Sequence, residues 1–439
     1  MGRYPQFWGK ITKTPNSGDG GCKYFVANLF HDKTVKGMMK TRSSRQTNCL
    51  LRYLILFSLG PVSCLRLEPS LFDTSQNNAA LAGGLAIATS TGNPMSTGTG
   101  TLSASSFNLV SGNKELALNS NANLLYVTNL NASTLTFLNA STGAYAFGSQ
   151  AASTFVTGTS PVGVAVDPAL NLLYVANIGS NTVTFFNATT GAYAFGGTLA
   201  ASSFATGTGP QGVTLNPALN LLYVVSSGSK TITFFNATTG AYTNGTLAAS
   251  SFTAGFGAKR ALLNSAANLI YVANNGSNTV TFFNATTGAY AFGGTFASSS
   301  ITTGNWPRGL ALNPATNMLY TANENSSTLT FLNATTGAYA YGGTLAASSL
   351  TTGSVPYALA IDPSANLLYV AHRLPATHTV TFINATTLAY NNGTYANSSF
   401  TTGTCNPDSV VVNPSLNLLY VGCQYYVLFF NATTGAYAF

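Results

Sequence analysis

Seven copies of one short phrase limit what this chain can fold into. The phrase NLLYV, or a near copy of it, recurs at intervals of 48 to 51 residues, and each copy ends in NATTGAY or a close variant. The tyrosine of the phrase stands at Tyr126, Tyr174, Tyr223, Tyr271, Tyr320, Tyr369 and Tyr420. A regular period of this length is typical of solenoids and propellers, in which every copy builds the same structural unit.

Within one copy the pattern is that of β-strands. In the second copy, Val162–Pro168 is a short apolar strand, Leu172–Asn177 returns after a turn, and Thr182–Asn187 alternates β-branched and aromatic residues. Gly, Asn and Pro stand at the junctions, and a looser fourth strand follows within AYAFGGTLAASSF. No stretch shows helical periodicity with caps. Each copy therefore predicts four antiparallel strands.

The two ends of the repeat region favour a ring over a linear solenoid. The C-terminus stops at GAYAF, and the words that should follow, GTLAASSF in the second copy, occur as GTLSASSF at Gly100–Phe107. Residues 100–439 divide into seven copies of about 49 residues, whereas a solenoid needs distinct terminal caps. We expect an all-β, seven-bladed β-propeller of four-stranded antiparallel blades, the last blade being completed by an N-terminal strand. Whether this joint closes within one chain or between two stays open.

The phrases LYVTN (Leu125–Asn129) and SPVGVAVDPALNLLYVANIGSNTVTFFNATTGAY (Ser160–Tyr193) resemble the YVTN family of β-propeller repeats. The resemblance extends over all seven copies. It implies a secreted or surface protein of the kind found in bacteria and archaea, and related propellers include lactonases. The first turn here is Asn/Asp-Pro-x-x-Asn rather than Pro-Asp-Gly, and the fourth-strand region is several residues longer than the family leads us to expect.

The N-terminal region differs from the repeats in its charge. Residues 1–94 contain eleven Lys and Arg against four Asp and Glu, whereas residues 95–439 contain six against five. We predict a basic leader at 1–64, whose segment 38–64 resembles a secretory signal with an apolar run too short to span a bilayer. An unstructured basic tail is the alternative. We further predict a linker at 65–99, the propeller at 100–439, an extracellular or cell-surface location and no nucleic-acid partner.

The charges within the repeats cluster on one predicted face. An antiparallel meander places the loops between strands two and three, and the connections between blades, on what we call the loop face; the other connections form the turn face. Nine of the eleven charges in residues 95–439 map to the loop face. The exceptions, Asp167 and Asp362, stand where other copies have Asn and are expected to form Asx turns.

One variable position should surround the mouth of the central channel. The residue twelve before each repeat tyrosine begins the innermost strand and is among the least uniform in the repeat. With the adjacent Arg260, the polar and aromatic residues there predict a ligand site formed by Lys114, Gln211, Lys259, Arg260, Arg308, Tyr357 and Asp408. Solvated, variable loops are the alternative interpretation.

Catalytic and metal-binding signals are weak. His372 and His378 flank an unusual loop, where we expect solvated side chains, and with the distant Glu324 they do not make a zinc site. Asp408 has no obvious partner for acid–base catalysis. No phosphate loop, dinucleotide fingerprint or metal-ligand cluster is present in the sequence. We therefore expect no enzyme activity, no cofactor and no metal.

Two cysteines of the last copy are predicted to form a disulfide. Cys405 and Cys423 are nearly symmetric about the turn Asn413–Asn417, so they should face each other across the first two strands. Such a bridge would suit an oxidising compartment. Two buried thiols are the alternative.

Each copy also carries an Asn-Ala-Ser/Thr sequence, the acceptor pattern for N-glycosylation. The seven asparagines are Asn139, Asn187, Asn236, Asn284, Asn333, Asn384 and Asn431. Asx turns would favour the same residues without any glycan. Against that alternative, Asp never replaces Asn at this position. Both interpretations stay open.

Three functions are compatible with the sequence. The first is a non-enzymatic surface module with a structural or adhesive role, possessing glycans and self-associating into filaments or layers by strand donation. The second is a carbohydrate- or peptide-binding propeller that uses the charged mouth. The third, a lactonase- or lyase-like enzyme, has only that charged mouth in its favour, because fold does not imply function.

Overall fold

The computed structural model describes residue 101 and the ranges 103–109, 112–373 and 378–439. Over these residues, 28 strands form seven four-stranded antiparallel sheets. The predicted seven-bladed β-propeller is confirmed, and the linear solenoid is excluded. The predicted leader at 1–64 and linker at 65–99 lie outside the described residues.

Each blade runs from an inner strand at the channel to a short outer strand. The inner strands are β2 Asn113–Asn119, β6 Pro161–Asp167, β10 Pro210–Asn216, β14 Ala258–Asn264, β18 Pro307–Asn313, β22 Pro356–Asp362 and β26 Pro407–Asn413. The second strands are β3 Leu124–Asn129, β7 Leu172–Asn177, β11 Leu221–Ser226, β15 Leu269–Asn274, β19 Met318–Asn323, β23 Leu367–His372 and β27 Leu418–Cys423. The third strands are β4 Thr134–Asn139, β8 Thr182–Asn187, β12 Thr231–Asn236, β16 Thr279–Asn284, β20 Thr328–Asn333, β24 Thr379–Asn384 and β28 Tyr426–Asn431. The outer strands are β5 Thr154–Val156, β9 Ser203–Ala205, β13 Ser251–Thr253, β17 Ser300–Thr302, β21 Ser349–Thr351, β25 Ser399–Thr401 and β1 Ser106–Asn108. We number the blades one to seven by their inner strands in chain order.

Among the described residues, helical structure is confined to single turns. These are α1 Phe296–Ser299 and four 3₁₀ turns, Pro217–Leu219, Asn275–Ser277, Ala396–Ser398 and Pro414–Leu416. None of the helices among the described residues has the length and apolar character needed to cross a membrane.

Asparagine and aspartate shape the first turn of every blade. In blade two, Asp167 Oδ1 accepts hydrogen bonds from the N–H groups of Ala169 and Leu170, and Asp362 forms the same Asx turn in blade six. Asn171 then adopts a left-handed conformation with φ of 54°, which asparagine tolerates better than most residues. The predicted Asx-turn role of both aspartates is confirmed.

The repeat tyrosines join each blade to the next. All seven are fully buried, and six of them contact the third-strand phenylalanine of their own blade edge-on with ring centroids 4.7 to 5.0 Å apart. Each hydroxyl donates to a backbone carbonyl of the following blade; for example, Tyr126 bonds to Ala188 at 2.8 Å. The last of them, Tyr420, donates to Ala140 of blade one at 3.0 Å and so closes the ring.

A second set of tyrosines, in the phrase GAY, joins each blade to the one before. Tyr193 of blade two donates to the carbonyl of Val156 in β5, and the equivalent tyrosine makes the same bond in each of the six remaining blades. The glycine ahead of it, Gly191, has φ of +73°, and a Cβ there would collide with the ring of Phe155. The long fourth-strand region therefore folds as a rim against the preceding blade.

The joint that the sequence left open closes within one chain. Strand β1 pairs with β28, opposing Phe107 to Val427. The N–H of Thr101 donates to the carbonyl of Phe439 at 2.7 Å, and the N–H of Phe439 donates to Ser105 Oγ at 3.0 Å. Blade seven thus takes its outer strand from the N-terminal side, as predicted.

Candidate ligand site at the mouth of the central channel

The mouth residues all lie in β-bulges. The pairing between the inner and second strands shifts register across this position in each of the seven blades, for instance between Ala258 and Arg260 in blade four. A bulge leaves a residue outside the ladder and re-aims its side chain. Side chains at the start of the inner strand can therefore turn towards the mouth instead of alternating strictly with the pleat.

Asp408 is the buried centre of one group of charges. Its carboxylate accepts from Lys114 Nζ at 3.0 Å and lies 3.1 Å from Arg373 Nε, while its own side chain is 2% exposed. The sequence offered no partner for Asp408 in acid–base catalysis, and the structure gives it two partners in ion pairs. Its partners are cations, so Asp408 does not belong to a carboxylate pair.

A second ion pair crosses the channel. Arg260 of blade four binds Glu115 of blade one, which lies on the opposite side of the ring. Burial first, and the charge of Arg308 second, lower the pKa of Arg260 to about 10, so the guanidinium stays charged at neutral pH. A cavity of about 120 Å³ adjoins this pair and is lined by residues of the inner strands, among them Leu116, Leu310, Leu359, Val410 and Val411. That volume is enough for several water molecules.

Arg308 and Lys259 supply positive charge that these pairs do not use. The Arg308 guanidinium lies 3.9 Å from the ring centroid of Tyr357, and its buried Nε has no hydrogen-bond acceptor. Burial, followed by the charge of Arg308, lowers the pKa of Lys259 below its ordinary value, and Glu324 opposes that shift. Five cations and three carboxylates therefore meet here, which leaves two positive charges in excess.

Tyr357 is the aromatic centre of this group. It is 3% exposed, and Arg373 approaches its ring to 4.6 Å in addition to Arg308. Burial raises the pKa of its hydroxyl, so this group stays protonated at neutral pH. Gln211 and Val162 occupy the equivalent bulges of β10 and β6 and bring no charge. The charged part of the mouth is thus formed by blades one and four to seven.

The structure adds two side chains to the predicted site and corrects one expectation. Glu115 and Arg373 were recognised only as charges of the loop face, yet they make the contacts that organise the mouth. His372 is not a solvated loop residue: it ends β23, is 2% exposed and stacks edge-on with Tyr395. Burial lowers its pKa to about 4. His378 Nδ1 lies 2.8 Å from the carbonyl oxygen of Arg373.

The two cysteines of blade seven form a disulfide in the structure, with Cα atoms 5.4 Å apart. Cys423 ends β27 opposite Pro407, whereas Cys405 precedes β26 by two residues. The disulfide therefore lies at the loop-face end of the β26–β27 ladder and not between two residues in the middle of the strands. Its formation in the native compartment stays a prediction.

The seven repeat asparagines lie on the turn face, at the ends of the third strands. Asn187 shows their common geometry: its Oδ1 accepts from the N–H groups of Thr189 and Thr190 and from Asn171 Nδ2. The asparagine thus has a structural role as the centre of an Asx turn. Occupancy of Asn139, Asn187, Asn236, Asn284, Asn333, Asn384 and Asn431 by glycans stays a prediction.

Comparison with known proteins agrees with the fold. A family model described as "Lactonase, 7-bladed beta-propeller" matches residues 163–340, from the inner strand of blade two to the rim of blade five and so less than half of the chain. A search of curated protein sequences found no match. Among solved structures, the chain is similar to Kuenenia stuttgartiensis hydrazine synthase, with a TM-score of 0.58 and 16% identity over 75% of this chain and 97% of that one. Similarity at this level shows the propeller fold alone, and the resemblance to the YVTN repeats stays a prediction. Within the described ranges, no group of three or more His, Cys, Asp or Glu side chains could hold a metal ion.

Proposed function

We propose that this propeller binds a small carboxylate-bearing ligand at the mouth of its central channel, without chemical turnover. The observation that carries the proposal is the state of Arg308. Its guanidinium carbon lies 3.9 Å from the ring centroid of Tyr357, and none of the ion pairs among the described residues includes Arg308. The side chain is partly exposed, so a carboxylate of the ligand can reach the guanidinium, and a charge-assisted bond to a planar guanidinium is strong and directional.

Lys259 supports the same assignment. It lies close enough to Arg308 for the two charges to act on each other, and burial disfavours its charged form. An anion bound between them would relieve the repulsion and raise the pKa of the lysine. In the pH range where Lys259 titrates, binding of an anion, but not of a neutral ligand, should therefore be accompanied by proton uptake.

Calorimetric titration with D-galacturonate, and with D-galactose as its uncharged counterpart, tests the proposal. We expect the uronate to bind and Arg308→Gln to weaken that binding at least tenfold, which corresponds to about 1.4 kcal/mol. Lys230→Gln is the matched control, because it removes a loop-face cation whose ammonium lies over Phe256 and pairs with none of the mouth residues among those described. Equal binding of both sugars, or no effect of Arg308→Gln, would refute the proposal.

Lactone hydrolysis is a second candidate, favoured by the family match over residues 163–340. In that case neutral Lys259, whose pKa is lowered, would accept a proton from the attacking water, and Arg308 would stabilise the negative charge that develops on the carbonyl oxygen. The bond between the carbonyl carbon and the ring oxygen would then break, and the Lys259 ammonium would return the proton to that leaving oxygen. Hydrolysis of a lactone panel that disappears in Lys259→Gln would establish this activity. The structural or adhesive role, the extracellular location and self-association stay predictions, which electron microscopy of native material would test.

A further inference from the structure

One blade-to-blade connection contains a tryptophan in a conformation that suits glycine. The residue directly before the inner strand has a positive φ in blades two to six: Ser160 56°, Gly209 67°, Gly257 69°, Trp306 60° and Val355 55°. This left-handed region is unfavourable for any residue with a Cβ and is an outlier for a bulky one. Blades three and four avoid the strain by using glycine, whereas blade five does not.

The conformation of Trp306 is imposed by the backbone around it. Its N–H donates to Asn278 Oδ1 of blade four, and its carbonyl accepts from the N–H of Glu324 in blade five, both at 2.9 Å. The indole is nevertheless 48% exposed, so burial of the ring does not compensate for the strain. Val355 of blade six has the same kind of backbone conformation but is only partly exposed, so the exposure of a large ring, and not the strain by itself, marks Trp306 as a candidate functional position.

A second exposed aromatic residue occupies the preceding connection. Phe256 is 59% exposed and lies three residues before Lys259, whereas Trp306 lies two residues before Arg308. Lys230 Nζ lies 5.1 Å from its ring centroid. The loop face of blades four and five therefore carries two exposed rings, which we call the aromatic rim; along the chain, Trp306 is two residues from Arg308 and Phe256 is three residues from Lys259.

The aromatic rim exposes two side-chain rings, but the backbone N–H and C=O groups of its residues are already hydrogen-bonded within the protein. The N–H of Phe256 donates to Ser277 Oγ at 2.8 Å, and its carbonyl accepts from the N–H of Gly276 at 2.9 Å. Both backbone groups of Trp306 are likewise engaged. An extended peptide usually gains its affinity from main-chain hydrogen bonds, which these residues cannot provide. Flat rings combined with a few placed polar groups suit a ligand with apolar C–H faces and a carboxylate.

From this arrangement we infer that the ligand is an acidic oligosaccharide, whose uronate binds Arg308 and Lys259 while neighbouring sugar rings stack on Trp306 and Phe256. The inference rests on the proposed function, because it specifies the ligand of the same mouth. It adds one requirement: affinity must increase with the number of sugar rings, and that increase must depend on the aromatic rim.

The experiment compares galacturonate with trigalacturonate on the full chain and on Trp306→Gly. Glycine suits the left-handed conformation, so the variant should melt at the same temperature as the parent or higher. We expect it to bind trigalacturonate at least tenfold more weakly than the parent and to bind the monosaccharide equally well. Val355→Gly is the matched control, because it makes the same backbone change one blade further on and should alter neither affinity.

Two further ligands complete the test. The methyl ester of trigalacturonate keeps the rings without the charges, and triglutamate keeps the charges without the rings; both should bind at least tenfold more weakly than trigalacturonate. Unchanged trisaccharide binding by Trp306→Gly, or triglutamate binding as tight as that of trigalacturonate, would overturn the inference while the proposed function stands, provided that Arg308→Gln still weakens binding. If neither galacturonate nor trigalacturonate binds, the inference and the proposed function are both overturned.

Discussion

The two faces of this propeller follow different rules. On the turn face, nearly the same asparagines and threonines recur in seven copies, and the charged residues there are Asp167 and Asp362 among those described. On the loop face, the equivalent positions of the seven blades hold lysine, valine, glutamine, arginine, tyrosine and aspartate.

The difference shows what each face is required to do. The turns need side chains that bond to their own backbone, and a single solution serves every blade. The mouth forms its ion pairs between blades, so its side chains must differ from blade to blade; Asp408 binds Lys114 and Arg373, which come from two other blades. Uniform turns support the fold, whereas variable mouth residues form one asymmetric site.

The same substitution on the two faces should have opposite effects, and the larger one belongs to the loop face. Asp408→Asn leaves Lys114 and Arg373 without their buried counter-charge. We expect the free energy of unfolding to fall by about 3–4 kcal/mol, near the lower end for broken buried pairs because both cations are partly exposed. Chemical denaturation measures this loss. A change below 1 kcal/mol would mean that the pairs do not stabilise the mouth.

The next largest effect is the loss of stability in acid that His372 should cause. This histidine lies on the loop face, at a position where the repeat usually has asparagine. Burial lowers its pKa to about 4 from an ordinary 6.5, so the unfolded chain takes up a proton at a higher pH than the folded one. Stability should therefore be intact above pH 6.5 and fall by about 2 kcal/mol between pH 7 and pH 4.5 on this account.

His372→Asn should remove that part of the acid sensitivity. Asparagine is the residue of blade two at this position, where Asn177 Nδ2 donates to Thr184 Oγ1 at 2.9 Å. Thermal melting of both proteins between pH 7 and pH 4.5 measures the difference. His378→Asn, which leaves His372 in place, is the control. Parallel pH profiles for the parent and His372→Asn would contradict the assignment.

The smallest expected effect is a gain of stability on the turn face. Asp167 Oδ2 is buried without a partner, whereas Asn264, at the same position in blade four, donates from Nδ2 to the hydroxyl of Tyr271 at 2.9 Å. Asp167→Asn should supply the missing donor to Tyr174 and stabilise the protein by about 1 kcal/mol. Denaturation midpoints are the measurement, and a loss of stability would show that the carboxylate has an unrecognised partner.

The sequence predicted the features that depend on one copy of the repeat or on the two ends of the repeat region. The tyrosine period gave the number of blades, and the split phrase at the termini gave the closure of blade seven. The contact between Arg260 and Glu115 was not predictable, because the two residues are 145 positions apart and a bulge decides where each side chain points. The burial of His372 left a usable signal, since aligning the copies places it with the buried Asn177, and the same comparison sets Trp306 opposite Gly209 and Gly257.

The two tyrosine contacts, one forward and one backward, make each blade an interchangeable part. Each blade donates one hydrogen bond to an alanine carbonyl of the following blade and one to an outer-strand carbonyl of the preceding blade. Tyr126 of blade one, for instance, donates to Ala188 of blade two, and Tyr193 of blade two donates to Val156 of blade one. A gene that gains or loses one repeat would still encode neighbours that fit, and only the curvature of the ring would have to adjust. Duplication can therefore enlarge such a chain without new inter-blade contacts having to evolve, which leaves each added copy free to diverge at its mouth residue.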